Sequence, residues 1–232
     1  MKAVLLVGGA GTRMRPLTYV MPKCLLPVGG KPLVERTMKY LQRYGFEEFV
    51  LCVAYLKRQI MDTIRDGSEL GLRVSYAEAD NPLGTAGQLK TAQKYLDGTF
   101  LAMNGDIVTN LNVSQLIATH REKGGIATIA VKKYGVKIPY GHITVDGDSN
   151  IVSFAEKPTF SYLANAGVYI MEPRLLDFVV EGRQSSLETE VFPAILLKGE
   201  RINSYFEEAS WADVGSMADF ERVNDEVLAS GT

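Results

Sequence analysis

The chain has 232 residues, with 25 basic against 27 acidic side chains and a formal net charge of −2. That length can bury the core of one α/β domain, and the balanced charge offers no basic footprint for nucleic acid. The two cysteines, Cys24 and Cys52, and the two histidines, His120 and His142, show no metal-ligand spacing, and no apolar run approaches the ~20 residues of a membrane span.

Ala3 to Val7 is a continuous apolar run, the pattern of a strand buried on both faces, and it breaks at once into Gly8, Gly9, Ala10, Gly11 and Thr12. A glycine turn after a buried strand suits phosphate, because without Cβ atoms the backbone N–H groups can close around its oxygens. Arg13 and Arg15 follow, and Lys23 stands beyond Pro16 and Pro22, which stiffen the loop; three cations are therefore expected near one turn. The turn is not a P-loop, since Gly11 precedes Thr12 and Arg13 rather than a lysine and a hydroxyl residue. Nor is it GxGxxG, because Met14 stands where the third glycine would be. A strand starting at residue 2 leaves no room for a secretory signal, so a soluble cytoplasmic protein is expected, with both cysteines as small buried hydrophobes.

Leu33, Val34, Thr37, Met38 and Leu41 recur at helical spacing, predicting a helix over Leu33 to Tyr44 that stops at Gly45. Phe49 to Ala54 reads as a second buried strand, Gln59 to Leu70 as a helix closed by Gly71, and Arg73 to Ala77 as a third strand. This alternation predicts a parallel, doubly wound sheet whose ligands lie at the carboxyl ends of its strands. Asn81 to Gly87 is a turn entering a helix over Gln88 to Tyr95. Phe100 to Met103 is a fourth strand, and Asn104-Gly105-Asp106 at its end puts a carboxylate where phosphate-bound Mg²⁺ would be held. A helix over Leu111 to Lys123, capped by Asn110 or Asn112, precedes a strand over Ile126 to Val131. A hairpin turning at Asp146 to Ser149, then Ile151 to Ala155 and a strand over Ala164 to Ile170 come next. Leu187 to Leu197 reads as a helix broken by Pro193, Ile202 to Phe206 as a late strand, and Met217 to Leu228 as the last helix.

The first two segments resemble the double signature of sugar-phosphate nucleotidyltransferases, GGxGTRxxPLT followed by PKxLLPVxGKP. Gly8 to Thr18 and Pro22 to Pro32 match both halves. Asn81-Pro82-Leu83-Gly84-Thr85-Ala86-Gly87 is similar to that family's EPLGTAG segment, and PYGHI, FAEKP and NAGVYI resemble its sugar-phosphate half. Trp211-Ala212-Asp213-Val214-Gly215-Ser216 resembles its W-x-D-[IV]-G-[ST]. The resemblance implies a three-layer, doubly wound, mixed but mostly parallel sheet of Rossmann-like, glycosyltransferase-A-like type without a C-terminal β-helix. It further implies one domain with a nucleotide-binding half over about 1–110 and a sugar-phosphate-binding half over about 111–232. Carried across, Arg13, Lys23 and Asp106 would be catalytic; Gly8, Gly9, Gly11, Thr12, Glu78, Gly84 and Thr85 would bind the nucleotide. Gly141, Glu156 and Asn165 would meet sugar hydroxyls, Lys157 the sugar's phosphate, and Asp106 with Asp213 would share Mg²⁺.

The implied reaction joins a nucleoside triphosphate to a sugar-1-phosphate and releases pyrophosphate. A phosphate monoester is mostly dianionic at neutral pH and needs no general base, so the lack of a catalytic histidine is no objection. The likeness is strongest to the mannose-1-phosphate guanylyltransferase branch, which implies GTP and GDP-mannose. Guanine presents two donors on one edge that a carboxylate accepts together, so Glu78 and Asp80 lean toward guanine, the other reading being a solvated acidic turn. Two positions depart from that branch: Asn81 replaces its acid, and Gln88 stands where a small residue or proline is more usual. Thymidylyl or uridylyl transfer to a hexose-1-phosphate is the alternative chemistry, and a silent nucleotide-sugar-binding regulator the alternative from another class. Small-molecule partners are expected, with neither nucleic acid nor membrane, and self-association is left open.

Overall fold

Alternate side chains of the first strand, β1 (Ala3–Leu6), enter opposite layers: Ala3 and Leu5 join one buried apolar cluster, Val4 and Leu6 another. That alternation continued across a sheet makes three layers. The computed structural model describes residues 1–230. After β1 come the short antiparallel pair β2 (Pro27–Val28) and β3 (Lys31–Pro32), then α1 (Leu33–Gln42), β4 (Glu48–Val53), α2 (Lys57–Ile64), β5 (Arg73–Glu78) and α3 (Gly84–Thr91). The middle of the chain supplies β6 (Phe100–Asn104), β7 (Ile107–Thr109), α4 (Val113–Lys123), β8 (Ala127–Lys137), β9 (His142–Val145), β10 (Ile151–Ala155) and β11 (Thr159–Met171). It closes with α5 (Phe192–Leu197), β12 (Ile202–Phe206), β13 (Trp211–Asp213) and α6 (Met217–Ser230).

Seven strands form one sheet in the order β12-β8-β11-β6-β1-β4-β5. β11 runs antiparallel to β6 and β8, and the remaining pairings are parallel. The chain leaves β1 toward β4 and β5 on one side and returns to β6 on the other, so the strand order reverses at β1. The carboxyl end of β1 is thus a topological switch point, where open α/β sheets bind ligands. One face is covered by α1, α2 and α4 and the other by α3 and α5. A third cluster, with Val28, Ala212, Val214, Val223 and Val227, docks α6 against β13. The five residues that predicted α1 are all buried.

Several boundaries differ from the sequence expectation for local reasons. The helix expected over Gln59 to Leu70 stops at Ile64, because Arg65 takes φ 53° and Gly67 φ 80°, and only a 3₁₀ turn over Ser68–Leu70 follows. The helix expected from Gln88 begins at Gly84. Leu187 to Leu197 divides into a π-helical turn over Leu187–Val191 and α5, the change of helix type falling just before Pro193. Asn112 is the cap of α4, accepting from Gln115 N. The largest difference is the length of β8 and β11, paired from Lys137 and Thr159 down to Ala127 and Met171. Their outer halves leave the packed sheet as an exposed ribbon, joined at its tip by the β9–β10 hairpin, whose Asp146 carboxylate accepts from the Asp148 and Asn150 N–H groups.

Candidate active site

The glycine loop leaves β1 with its path fixed at both ends. Val7 N donates to Cys52 O at 3.1 Å, and Gly8 N donates to Gln88 Oε1 at 2.9 Å. Gly11 sits at φ +56°, and a Cβ there would come within 2.9 Å of the Thr18 methyl; the Thr18 hydroxyl donates to Gly11 O at 2.8 Å. Among the described residues, no protein acceptor takes the Gly9, Ala10 or Gly11 N–H. Thr12 and Arg13 begin a 3₁₀ turn directly after them. Unpaired N–H groups in a glycine turn are the kind of donors that suit an anion.

Two carboxylates and two cations meet the loop. Asp106 lies in the turn after β6 and Asp213 ends β13, and the pairing of Asp213 with Ile107 holds the two side by side. Lys23 Nζ donates to Asp106 Oδ2 at 2.6 Å and lies 3.7 Å from Asp213 Oδ1, while Arg13 Nη2 is 4.0 Å from Asp213 Oδ2. Asp213 Oδ1 is buried with no hydrogen-bond partner. Burial, and after it the charge of Asp106, holds the Asp213 carboxyl above the usual carboxylate range against the pull of Lys23 and Arg13. Close packing enforces the arrangement: a Cβ on Gly105 would stand 2.5 Å from a Val7 methyl and 3.0 Å from Leu6 O, and one on Gly215 3.0 Å from Arg13 Nη1. Together Gly9, Gly11, Thr12, Arg13, Lys23, Cys24, Gly105, Asp106 and Gly215 border a cavity of about 260 Å³. Cys24 and Cys52 are both buried, which pushes each thiol up to about 12.

Other expected residues stand apart from this cavity. Arg15 turns away, its guanidinium 4.8 Å from the Tyr19 ring centroid, so two cations converge here rather than three. Gly8 contributes no free N–H, because Gln88 takes it. Glu78 and Asp80 share Lys57, at 3.3 and 3.1 Å, at the end of β5. Gly84 packs against Ser185, whose carbonyl would lie 2.3 Å from a Cβ, and the Thr85 hydroxyl donates to Glu188 Oε2 at 2.8 Å. Gly141, Glu156 and Lys157 cluster on the ribbon: a Cβ on Gly141 would lie 3.1 Å from Glu156 Oε2, and Lys157 Nζ is 3.8 Å from Glu156 Oε1. Both side chains are exposed. Asn165, further down β11, donates to the Tyr169 hydroxyl at 2.8 Å and accepts from Gly167 N at 2.9 Å. Gln88, Glu188 and Tyr169 were not singled out as site residues. The departure of Gln88 from the family segment was its one visible signal, whereas Glu188 and Tyr169 look in the sequence like ordinary helix and strand residues.

Comparison with known proteins agrees with this geometry. Residues 2–230 match the family described as Nucleotidyl transferase. The UTP–glucose-1-phosphate uridylyltransferase of Synechocystis sp. is 32% identical across 95% of this chain and 61% of its own length. The mannose-1-phosphate guanylyltransferase of Mycobacterium tuberculosis is 35% identical across 95% of this chain and 62% of its own. This chain therefore spans about three fifths of those curated relatives. The crystal structure of HddC from Yersinia pseudotuberculosis superposes with a TM-score of 0.77 at 25% identity, covering 97% of this chain and 98% of that one. The double glycine–lysine signature, the switch-point site and the match over nearly the whole chain agree: this protein belongs to the nucleotidyl transferase family.

Proposed function

We propose that this chain transfers a nucleotidyl group from a nucleoside triphosphate to a sugar-1-phosphate. The observation that carries the reading is the meeting of Arg13, Lys23, Asp106 and Asp213 beside three N–H groups that no protein acceptor takes among the described residues, at the switch point. An oxygen of the sugar phosphate attacks the α-phosphorus, and a new O–P bond forms. The bond from the α-phosphorus to its bridging oxygen breaks, and the electron pair leaves with pyrophosphate. Both reactants are anions, so the rate comes from positioning and charge neutralisation. The loop N–H groups and Arg13 hold the β- and γ-phosphates, Lys23 neutralises the α-phosphate, and Lys157 at the ribbon steadies the attacking phosphate.

Asp106 and Asp213 fit Mg²⁺: they form a pair of hard oxygen donors, one atom of which, Asp213 Oδ1, is buried without a partner. Held there, the ion would neutralise charge on the triphosphate. No group of three or more His, Cys, Asp or Glu able to hold a metal occurs among the described residues, so the remaining ligands would be phosphate oxygens and water.

GTP and mannose-1-phosphate are the preferred substrates, supported by relatives of that activity at 35–37% identity. With Glu78 and Asp80 both paired to Lys57, their leaning toward guanine is weaker than the sequence implied. Uridylyl transfer to glucose-1-phosphate is the second reading, supported by the Synechocystis relative. Residues 1–110 supply the nucleotide side and 111–232 the sugar side, although both feed strands into one sheet. The reading puts the protein in the cytoplasm; no helix among the described residues is long and apolar enough to cross a membrane.

The test is pyrophosphate release with Mg²⁺, crossing GTP, UTP, dTTP, CTP and ATP against mannose-, glucose- and N-acetylglucosamine-1-phosphate. Turnover with GTP and mannose-1-phosphate is expected. Turnover with UTP or dTTP would keep the mechanism and replace the base, and silence with every pair would leave a nucleotide-sugar-binding regulator.

A further inference from the structure

One carboxylate outside the cavity is held by hydroxyl groups alone. Glu188 lies in the π-helical turn, a backbone irregularity that recurs at functional sites. Its Oε2 accepts from the Thr85 hydroxyl at 2.8 Å and the Ser186 hydroxyl at 2.7 Å, and its Oε1 accepts from the Tyr169 hydroxyl at 3.1 Å. No lysine or arginine pairs with it among the described residues. Tyr169 is fully buried, and the Asn165 amide donates to the same phenol oxygen at 2.8 Å. Burial and the nearby Glu188 charge push the Tyr169 phenol upward, so it stays protonated and its one hydrogen points at the carboxylate. The Thr85 hydroxyl in turn accepts from Leu187 N at 2.9 Å.

The result is a continuous chain, Thr85 to Glu188 to Tyr169 to Asn165, between the loop that opens α3 and the strand that leads to the ribbon. In the nucleotidyl-transfer reading, on which this inference rests, those are the nucleoside side and the sugar side. We infer that Glu188 is a positioning residue that joins the two substrate sides, fixing Thr85 directly and Asn165 through Tyr169. The arrangement suits that task. A carboxylate accepts from several hydroxyls at once, whereas an apolar residue at Glu188 would leave Thr85, Ser186 and the buried Tyr169 phenol competing for acceptors. The position within the chain also orders the effects of breaking it: cutting between Glu188 and Asn165 touches the sugar side alone, and removing Glu188 touches both.

The experiment is steady-state pyrophosphate release by the full chain with Mg²⁺, using the substrate pair that turns over, for Tyr169→Phe, Glu188→Ala and Glu188→Gln. Tyr169→Phe should raise KM for the sugar-1-phosphate on the order of 10-fold and leave KM for the triphosphate within about twofold, the scale of a coupling between neighbouring groups. Glu188→Ala should raise both KM values, and Glu188→Gln, which keeps one acceptor oxygen, should recover most of the loss. A purely structural role would lower the melting temperature and kcat of all three without this split. The inference is overturned if Tyr169→Phe leaves the sugar-phosphate KM at the parent value, or if Gln at 188 performs no better than Ala. Should Glu188→Ala fail to fold, Tyr169→Phe and Glu188→Gln still decide it. Absence of turnover in the parent chain with every pair would instead remove the nucleotidyl-transfer reading, and this inference with it.

Discussion

Gln88 Oε1 accepts the Gly8 N–H at 2.9 Å, tying the first residue of the phosphate loop to the helix that opens at Gly84. Gln88 is buried, and Gly8 is packed so closely that a Cβ would stand 3.0 Å from both Ala54 N and that same amide oxygen. Gln88→Leu removes the acceptor and leaves a buried N–H without one, a cost of about 1–3 kcal/mol. Denaturant unfolding should show that loss. KM for the triphosphate should rise, because the loop's path is no longer fixed at its start; unchanged stability would mean that water replaces the amide.

The two arginines of the signature separate cleanly. Arg13 borders the cavity and lies 4.0 Å from Asp213, and Arg13→Ala should reduce turnover at least ~10²-fold, the scale of one preorganised charge contact. Arg15 lies over Tyr19, and Arg15→Ala loses an exposed cation–π contact worth about 0.5–1 kcal/mol, with turnover changed less than about threefold. Equal effects in a side-by-side kinetic assay would show that Arg15 swings into the cavity when substrate binds.

Asp213 predicts a pH dependence with a definite sign. Its carboxyl is raised in the folded protein, so between the ordinary carboxylate range and its folded value the native state holds more protons than the unfolded state. Stability without metal therefore falls as pH rises through that window. Asp213→Asn should melt higher than the parent at pH 7 without Mg²⁺, and the difference should shrink as pH falls through that window and be gone below about pH 4, where the unfolded carboxyl is protonated as well. Adding Mg²⁺ with triphosphate should stabilise the parent more than the variant. Thermal melts over a pH series decide it, and a variant less stable than the parent at pH 7 would contradict the assignment.

Gly105 is where β6 turns toward the site with no space for a side chain. Gly105→Ala would force a methyl to 2.5 Å from a Val7 methyl, and overpacking of this kind costs about 1–3 kcal/mol. Because Asp106 is the next residue, turnover should fall together with stability. A variant with parental melting and parental turnover would mean that the turn shifts freely.

Where burial dictated the pattern, the sequence was sufficient. The apolar runs of β1 and β4 and the spacing of Leu33, Val34, Thr37, Met38 and Leu41 all report contact with one packed sheet. The end of α2 was not readable, since Arg65 enters the left-handed region without a glycine to announce it. The outer halves of β8 and β11 were missed for the opposite reason: a ribbon exposed on both faces leaves little hydrophobic alternation to see. The centre of the site was legible because glycine, lysine and aspartate stand there in family order. The supports were not, because Gln88 with Gly8 and Glu188 with Thr85 and Tyr169 are contacts across 80, 103 and 19 residues, set by how the layers fold together.

The ribbon carries Gly141, Glu156 and Lys157, and no residue between 131 and 165 belongs to any of the three buried clusters. In the transferase reading, the part of the sugar surface that lies on the ribbon is therefore mechanically insulated from the part that keeps the chain folded, whereas Asn165, tied to the buried Tyr169, and the loop that grips the triphosphate are anchored in it. Randomising the ribbon would explore new acceptors at little risk to expression, and randomising the glycine loop would mostly yield chains that do not fold. The fold is in this sense lopsided in its tolerance: it can change what it decorates far more readily than the way it holds the triphosphate.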